Sequence, residues 1–249
     1  MTRHQKKSVT NYISTILGNV YVSDKNNHRV RKVLSSNGVI STVAGTGTAG
    51  YSGDGGHATS ATIQYPSGIN LDSAGNVYFG DYTAYNVIRK ITVSTGIIST
   101  VAGTGSTSGG YNGDNVQATA ATLNSPHDVV LDSTGHLYIS DLFNYRIRKV
   151  DVSTGVITTV VGTGTASSTG DGSAATAATI NAPCFSRFDS AGNYYLSECH
   201  GNRVRKVITV TTDIPTTAPT CVPSSATPSL IPTYYPSLSP HSINIIIRE

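Results

Sequence analysis

Apolar and polar positions fall into short runs along this chain, four runs to a unit, and the unit recurs. In one unit the runs are 127–131, 137–140, 146–150 and 156–161. Their lengths, their wealth of Val, Ile, Thr and Tyr, and the turn residues between them predict strands rather than helices. Asp132-Ser133-Thr134-Gly135 divides the first pair, with Asp72-Ser73-Ala74-Gly75 and Asp189-Ser190-Ala191-Gly192 as counterparts. An Asp side chain bonds its own backbone two residues on, and Gly accepts a positive φ, so each tetrad closes a hairpin. Ser153-Thr154-Gly155, Ser94-Thr95-Gly96 and Ser36-Asn37-Gly38 close the last pair in the same way. Each unit is therefore a four-stranded antiparallel meander.

The period is long and regular. Pro66, Pro126 and Pro183 are 60 and 57 residues apart, and Asp24, Asp81, Asp141 and Glu198 are 57, 60 and 57 apart. Val20-Tyr21-Val22 and Leu137-Tyr138-Ile139 are apolar without alternation, as strands covered on both faces can be. Like sheets stacked face to face around an axis give that cover, whereas β-helix rungs are much shorter than ~57 residues. The expected fold is all-β: a β-propeller of four-stranded antiparallel blades, about four of them.

Blades are expected at 17–47, 65–105, 125–164 and 182–210. Residues 1–16 form a degenerate first strand, expected near Val9 to Ser14, or a disordered start. Connections such as 104–124 are too long to lack structure inside a compact domain. Ala58 to Ile63 and its counterparts are expected to pack on the neighbouring blade as a helical turn. Residues 211–249 are a Ser/Thr/Pro-rich tail with a terminal strand at Ile-Asn-Ile-Ile-Ile, a composition common in extended, often glycosylated stalks.

Gly-Asn-Val-Tyr-Val-Ser-Asp, Asn-His-Arg-Val-Arg-Lys-Val, Gly-Val-Ile-Ser-Thr-Val-Ala-Gly-Thr-Gly and Gly-Asp-Gly-Gly-His-Ala-Thr together resemble the NHL-repeat propellers. The long-loop form of bacterial secreted NHL proteins and teneurin-like propellers is the most similar, over about Leu17 to Val207. The resemblance implies rings that usually carry six blades, so four registers describe an incomplete ring, with exposed edges on the first and fourth blades. Because the family is functionally broad, the fold alone assigns no activity.

Of the 249 residues, 17 are basic and 14 acidic, a net +3 too balanced to advertise a polyanion partner. No apolar run is long enough for a transmembrane helix, and no signal peptide is visible. Three cysteines are too few for a disulfide framework. Folding the hairpin about Asp189 to Gly192 nevertheless places Cys184 and Cys199 nearly opposite each other, within reach of a bridge. Cys221 would be left over.

Candidate chemistry sorts by position in the repeat. Asp24, Asp81, Asp141 and Glu198 end strand two, facing Arg31, Arg89, Arg148 and Arg205 of strand three. A ring of carboxylates could hold Ca²⁺. A basic residue at a nearly fixed offset from every acid favours structural ion pairs between blades instead. The Arg-x-Arg-Lys strands carry 11 of the 17 basic residues. Strand alternation splits these between two faces beside acids, which disfavours nucleic acid. Asp54, Asp114 and Asp171 lie in Gly-flanked turns without the carboxylate density of a calcium loop.

Ser67, His127 and Cys184 follow the three inner prolines, with Asp128 beside His127. The outer-to-inner connections and the corners between strands two and three emerge on one face, which makes this long-loop face the expected binding surface. Its candidate residues are Ser67, His127, Asp128, Cys184, Asp54, Asp114 and Asp171. The resemblance extends to peptide-amidating lyases with metal-binding histidines around the channel, but Ser67 and Cys184 break that histidine ring. A channel-bound Zn²⁺ or Ca²⁺ is thus without a converging ligand set, and no cofactor is assigned. No catalytic acid, base and nucleophile converge either.

The expected function is a non-catalytic scaffold for a protein or glycan ligand, extracellular or at the cell surface. The alternative is a metal-dependent hydrolase or lyase of the six-bladed type, and the third reading is an RNA-binding propeller.

Overall fold

A computed structural model describes residues 12–16, 18–210 and 243–248. It contains four antiparallel sheets that follow one another along the chain. The first is β1 (Tyr12–Ile16), β2 (Asn19–Asp24), β3 (Arg29–Val33) and β4 (Ile40–Ala44). The second is β5 (Pro66–Leu71), β6 (Val77–Asp81), β7 (Val87–Thr92) and β8 (Ile97–Ala102). The third joins β10 (Pro126–Leu131), β11 (Leu137–Asp141), β12 (Arg146–Val150) and β13 (Val156–Val161), with β9 (Val116–Gln117) on its outer edge. The fourth is β14 (Pro183–Phe188), β15 (Tyr194–Glu198), β16 (Arg203–Val210) and β17 (Ile243–Arg248).

Within each sheet the strands pair in chain order, and the inner strands of successive sheets lie side by side: β1 by β5, β5 by β10, β10 by β14. These are consecutive blades of a β-propeller, and among the described residues no packing of that extent brings β14 back onto β1. Ahead of Leu17, β1 pairs with β2 in full register from Tyr12–Ser23 to Ile16–Asn19 and joins the first blade. Positions 9–11 of the expected 9–14 strand fall outside the described residues, as do Cys221 and the tail at 211–242.

The core lies between blades. Tyr21, Val30, Ile63, Ile69, Phe79 and Ile98 fill the space between the first two sheets, and Leu123, Val129, Ile139 and Ile157 that between the second and third. Each Ile, Leu or Phe so buried contributes about 1.5–3 kcal/mol relative to exposure. Tyr21 and Tyr78 are buried on the second strands, as sheets covered on both faces require.

The long connections are structured. Each ends in a single 3-10 turn, Ala58–Ser60, Ala118–Ala120 or Ala175–Ala177. The turn is bonded to two blades at once: the Gly45 N–H donates to Ala58 O and the Ala58 N–H to Gly96 O, 2.9 and 2.8 Å. Gly103–Ala118 and Ala118–Gly155 repeat this one unit later. Ala is needed here because Ala58, Ala118 and Ala175 are almost wholly buried, in the seam where larger side chains would not fit. Upstream of the turn the connection runs as an outer edge on the blade it is about to enter, through the bridge His57–Ile97 and through β9.

Candidate functional site

The strand-two acids organise the approach to each inner strand. Asp81 Oδ1 accepts the Gln64 N–H, Asp141 Oδ1 the Asn124 N–H and Glu198 Oε2 the Asn181 N–H, at 2.9, 2.7 and 3.0 Å. This holds the next residue, Tyr65, Ser125 or Ala182, at φ near +50° just before the proline. Such a conformation persists in non-glycine residues only where the surroundings over-determine it. The same acids face Arg89, Arg148 and Arg205 at 3.9, 3.6 and 2.8 Å, all side chains fully buried. Burial pushes the Asp141 carboxyl up to about 6 and the Asp81 carboxyl up as well, against the pull of the neighbouring arginines.

Two expectations change at this point. The ion pairs lie within blades, since β6–β7, β11–β12 and β15–β16 are hydrogen-bonded neighbours. Asp24 and Arg31, moreover, form no ion pair among the described residues; Asp24 Oδ1 takes the Asn27 amide instead, at 2.8 Å. Both are part-exposed, where pairing adds little.

The Gly-flanked aspartates have partners that their local sequence does not advertise. Asp54 meets Arg89 at 2.7 Å, Asp114 meets Arg148 at 3.1 Å, and Asp171 meets Arg205 at 2.5 Å. Tyr51 and Tyr111 lie over the same guanidinium groups of Arg89 and Arg148, 4.9 and 4.8 Å from ring centre. Each connection therefore clasps the arginine of the blade it is entering. Asp54, Asp114 and Asp171 are on the long-loop side, but as locks rather than as presented ligands.

Ser67, His127, Asp128 and Cys184 are likewise buried rather than presented. The ladder slips at the start of the second, third and fourth inner strands, between Pro66 and Ile69, Pro126 and Asp128, and Pro183 and Phe185. A bulge re-aims side chains, and here it turns them sideways onto the next blade. Ser23 Oγ donates to Ser67 O, Ser67 Oγ reaches Gly80 O of its own blade and Pro126 O of the next, and His127 Nδ1 lies 3.0 Å from Cys184 O. Asp128 Oδ2 accepts from the Ser186 N–H and from Arg187 Nη1, at 3.0 and 2.9 Å. Only glycine fits opposite it, because a side chain at Gly68 would run into the Asp128 carboxylate. Burial lowers His127 to about 4 and raises Asp128 to about 6. Cys184 and Cys199 are joined across β14 and β15, with their Cα atoms 5.9 Å apart.

What this face does offer is aromatic and basic. Tyr82 and Phe185 meet the His127 ring edge-on at 5.0 and 4.8 Å, and Lys25 Nζ sits 4.4 Å above the Tyr82 ring. Leu142 and Cys184 back the cluster, and Phe143 and Tyr111 are exposed. Lys25, Tyr82, Leu142 and Phe143 occupy the corners between strands two and three. There the repeat spells Lys-Asn-Asn-His, Tyr-Thr-Ala-Tyr and Leu-Phe-Asn-Tyr in turn. That divergence within a constant frame was the available signal for a surface, and the strand-based reading passed over it.

A family model, the teneurin NHL domain, matches residues 2–111 and 106–182. The chain belongs to the teneurin NHL-domain family. Human Teneurin-4 is 41% identical over 106 residues, 37% of this chain and 4% of that protein. Drosophila melanogaster Teneurin-m is 27% identical over 223 residues, 81% of this chain and 8% of that protein. This teneurin NHL chain thus spans a small part of the relatives it matches. Among solved structures, a Bacteroides thetaiotaomicron protein of unknown function superposes with a TM-score of 0.61. It is 21% identical, over 79% of this chain and 46% of that one. An auxiliary nutrient binding protein from Bacteroides ovatus superposes with a TM-score of 0.57 at 18% identity, with the same coverage. Both likenesses show the fold alone.

The opposite face of the teneurin NHL chain is not limited to tight turns. The strand one–two turns of the third and fourth blades stand apart around a cleft of about 740 Å³, lined by Asp132, His136, Tyr138, Lys149, Phe188 and Asp189 among others. Among the described residues, no group of three or more His, Cys, Asp or Glu side chains is arranged to hold a metal ion. No described helix is long and apolar enough to cross a membrane.

Proposed function

We propose that this teneurin NHL chain is a non-catalytic binding scaffold that engages a protein partner through the corners of its long-loop face, outside the cell or at its surface. The observation that carries the reading is the cluster of Lys25, Tyr82, His127 and Phe185, extended by exposed Phe143. Aromatic side chains on a rigid frame are the residues that dominate protein interfaces, because they bury much surface for little lost freedom. The polar groups behind them are engaged by the frame, Ser67 Oγ bonding Gly80 O within its own blade and His127 Nδ1 lying against Cys184 O of the next. They hold the face rigid rather than converging on a reacting atom. Kinship with teneurins and the Cys184–Cys199 bridge support an oxidising, extracellular setting.

The test is binding of the purified chain to an array of secreted and cell-surface ectodomains. Tyr82→Ala and Phe143→Ala are expected to weaken a captured interaction at least tenfold, with circular dichroism unchanged. Retention of full affinity in both variants would move the interface elsewhere. One tightly held Zn²⁺ or Ca²⁺ per purified chain, by elemental analysis, would favour the metal-dependent lyase or hydrolase instead.

A further inference from the structure

In a repeat protein, a ligand site is expected where one unit departs from the others around a cavity. The cleft between the third and fourth blades is such a place. Phe188 stands where the other units have Leu71 and Leu131, and Tyr194 where they have Val77 and Leu137. Both pack on Tyr138, with ring centres 4.9 and 5.4 Å away, so this one seam has an aromatic wall. Phe188 remains part-exposed and lines the cleft, whose volume falls within the range of small-molecule sites.

The second departure is polar. In the second and fourth blades Asn76 and Asn193 donate their amides to Asp72 Oδ2 and Asp189 Oδ2, at 2.8 and 2.7 Å, and seal the turn. In the third blade the same position is His136. Its Nδ1 accepts the Val152 N–H at 3.2 Å, which leaves the ring proton on Nε2. Asp132 therefore lacks the amide that seals its counterparts. The cleft wall gains an acceptor at Asp132, a donor at His136 and the ammonium of Lys149, beside the aromatic wall.

We propose that this cleft is a saccharide-binding site. A pyranose offers an apolar C–H face for Phe188 and vicinal hydroxyls that donate to a carboxylate while accepting from imidazole and ammonium donors. Asp132, His136 and Lys149 supply that mixed set, and a purely cationic or anionic ligand would leave one sign of it unmatched. The site lies on the face opposite the proposed protein-binding corners and stands independently of them.

The test is saturation-transfer NMR and calorimetry on the whole chain with glucose, galactose, N-acetylglucosamine and N-acetylneuraminic acid as separate probes. At least one is expected to bind saturably with a Kd of about 1 mM or tighter. Phe188→Leu and His136→Asn, which install the residues of the other units, are each expected to weaken it about tenfold while the circular dichroism spectrum stays that of the folded chain. Asn76→His, in the equivalent turn of the second blade, is expected to leave it unchanged. No saturable binding by any of the four sugars would overturn the proposal. So would binding that survives both Phe188→Leu and His136→Asn.

Discussion

A guanidinium inside a sheet protein is destabilising unless acceptors meet it from several sides. Arg148 has Asp141 at 3.6 Å from its own blade and Asp114 at 3.1 Å from the incoming connection. Arg148→Met leaves Asp141 buried without its counter-charge and is expected to cost about 3–5 kcal/mol in urea unfolding. Asp114→Asn should cost far less, on the order of 1 kcal/mol, because its side chain is 31% exposed and keeps an acceptor oxygen. Equal losses from the two variants would contradict this division of roles. The spacing of acid and arginine was legible in the sequence, because both lie on adjacent strands of fixed register. The loop aspartate was not: Gly-Asp-Gly reads as a local turn, and its partner is about 35 residues away.

Asp128 carries a pH dependence. Burial raises it from 3.8 to about 6, so the folded chain holds this proton more tightly than the unfolded chain does. Its contribution favours the fold at low pH and is lost as pH rises from about 4 to about 6, by on the order of 2–3 kcal/mol. His127 runs the other way: lowered from 6.5 to about 4, it favours the fold above about 6.5 and loses that contribution as pH falls toward 4. Asp128→Asn removes the first trend alone. The difference in unfolding free energy between variant and wild type should therefore change across pH 4 to 6, and a pH-independent difference would refute it.

At the scale of elements, hairpins and their turns were readable because Asp-x-x-Gly tetrads fix two residues' geometry without help from elsewhere. Asp132 Oδ1 accepts from the Thr134 and His136 N–H groups, the expected local pattern. The bulges that bury Ser67, His127 and Cys184 were not readable. A slip of one residue leaves no mark on composition, yet it converted presumed ligands into ties between blades. Cys184 is also tied covalently, but within its own blade, across β14 and β15. Cys184 and Cys199 enclose a loop with a sequence separation of 15, for which chain entropy gives about 3 kcal/mol. Dithiothreitol, or Cys199→Ser, should lower the unfolding free energy by about that amount. A chain indifferent to reductant would show that the bridge contributes nothing.

On the scale of the whole molecule, the period revealed stacked sheets, but not how unequal the blades are. The second and third blades have neighbours on both faces. The fourth keeps an open groove of about 170 Å³ beside Phe185, Tyr195 and Leu196, and Val204 there is 60% exposed. In an array stabilised mainly by contacts between adjacent units, protection should follow coverage. Hydrogen exchange is expected to be slowest in β6, β7, β11 and β12 and faster in β15 and β16. The reverse order would mean that stability does not come from stacking.

The clasp of Asp54, Asp114 and Asp171 onto the arginines ahead of them bears on how such chains can be recombined. The seam of inheritance does not lie at the prolines, where the sheets begin. A cassette excised at Pro126 would arrive with Arg148 stripped of Asp114, whereas one excised just after Gly105 would bring its own counter-ion. Transplants between related propellers should therefore succeed when the graft includes the preceding loop, and fail when it starts at the sheet.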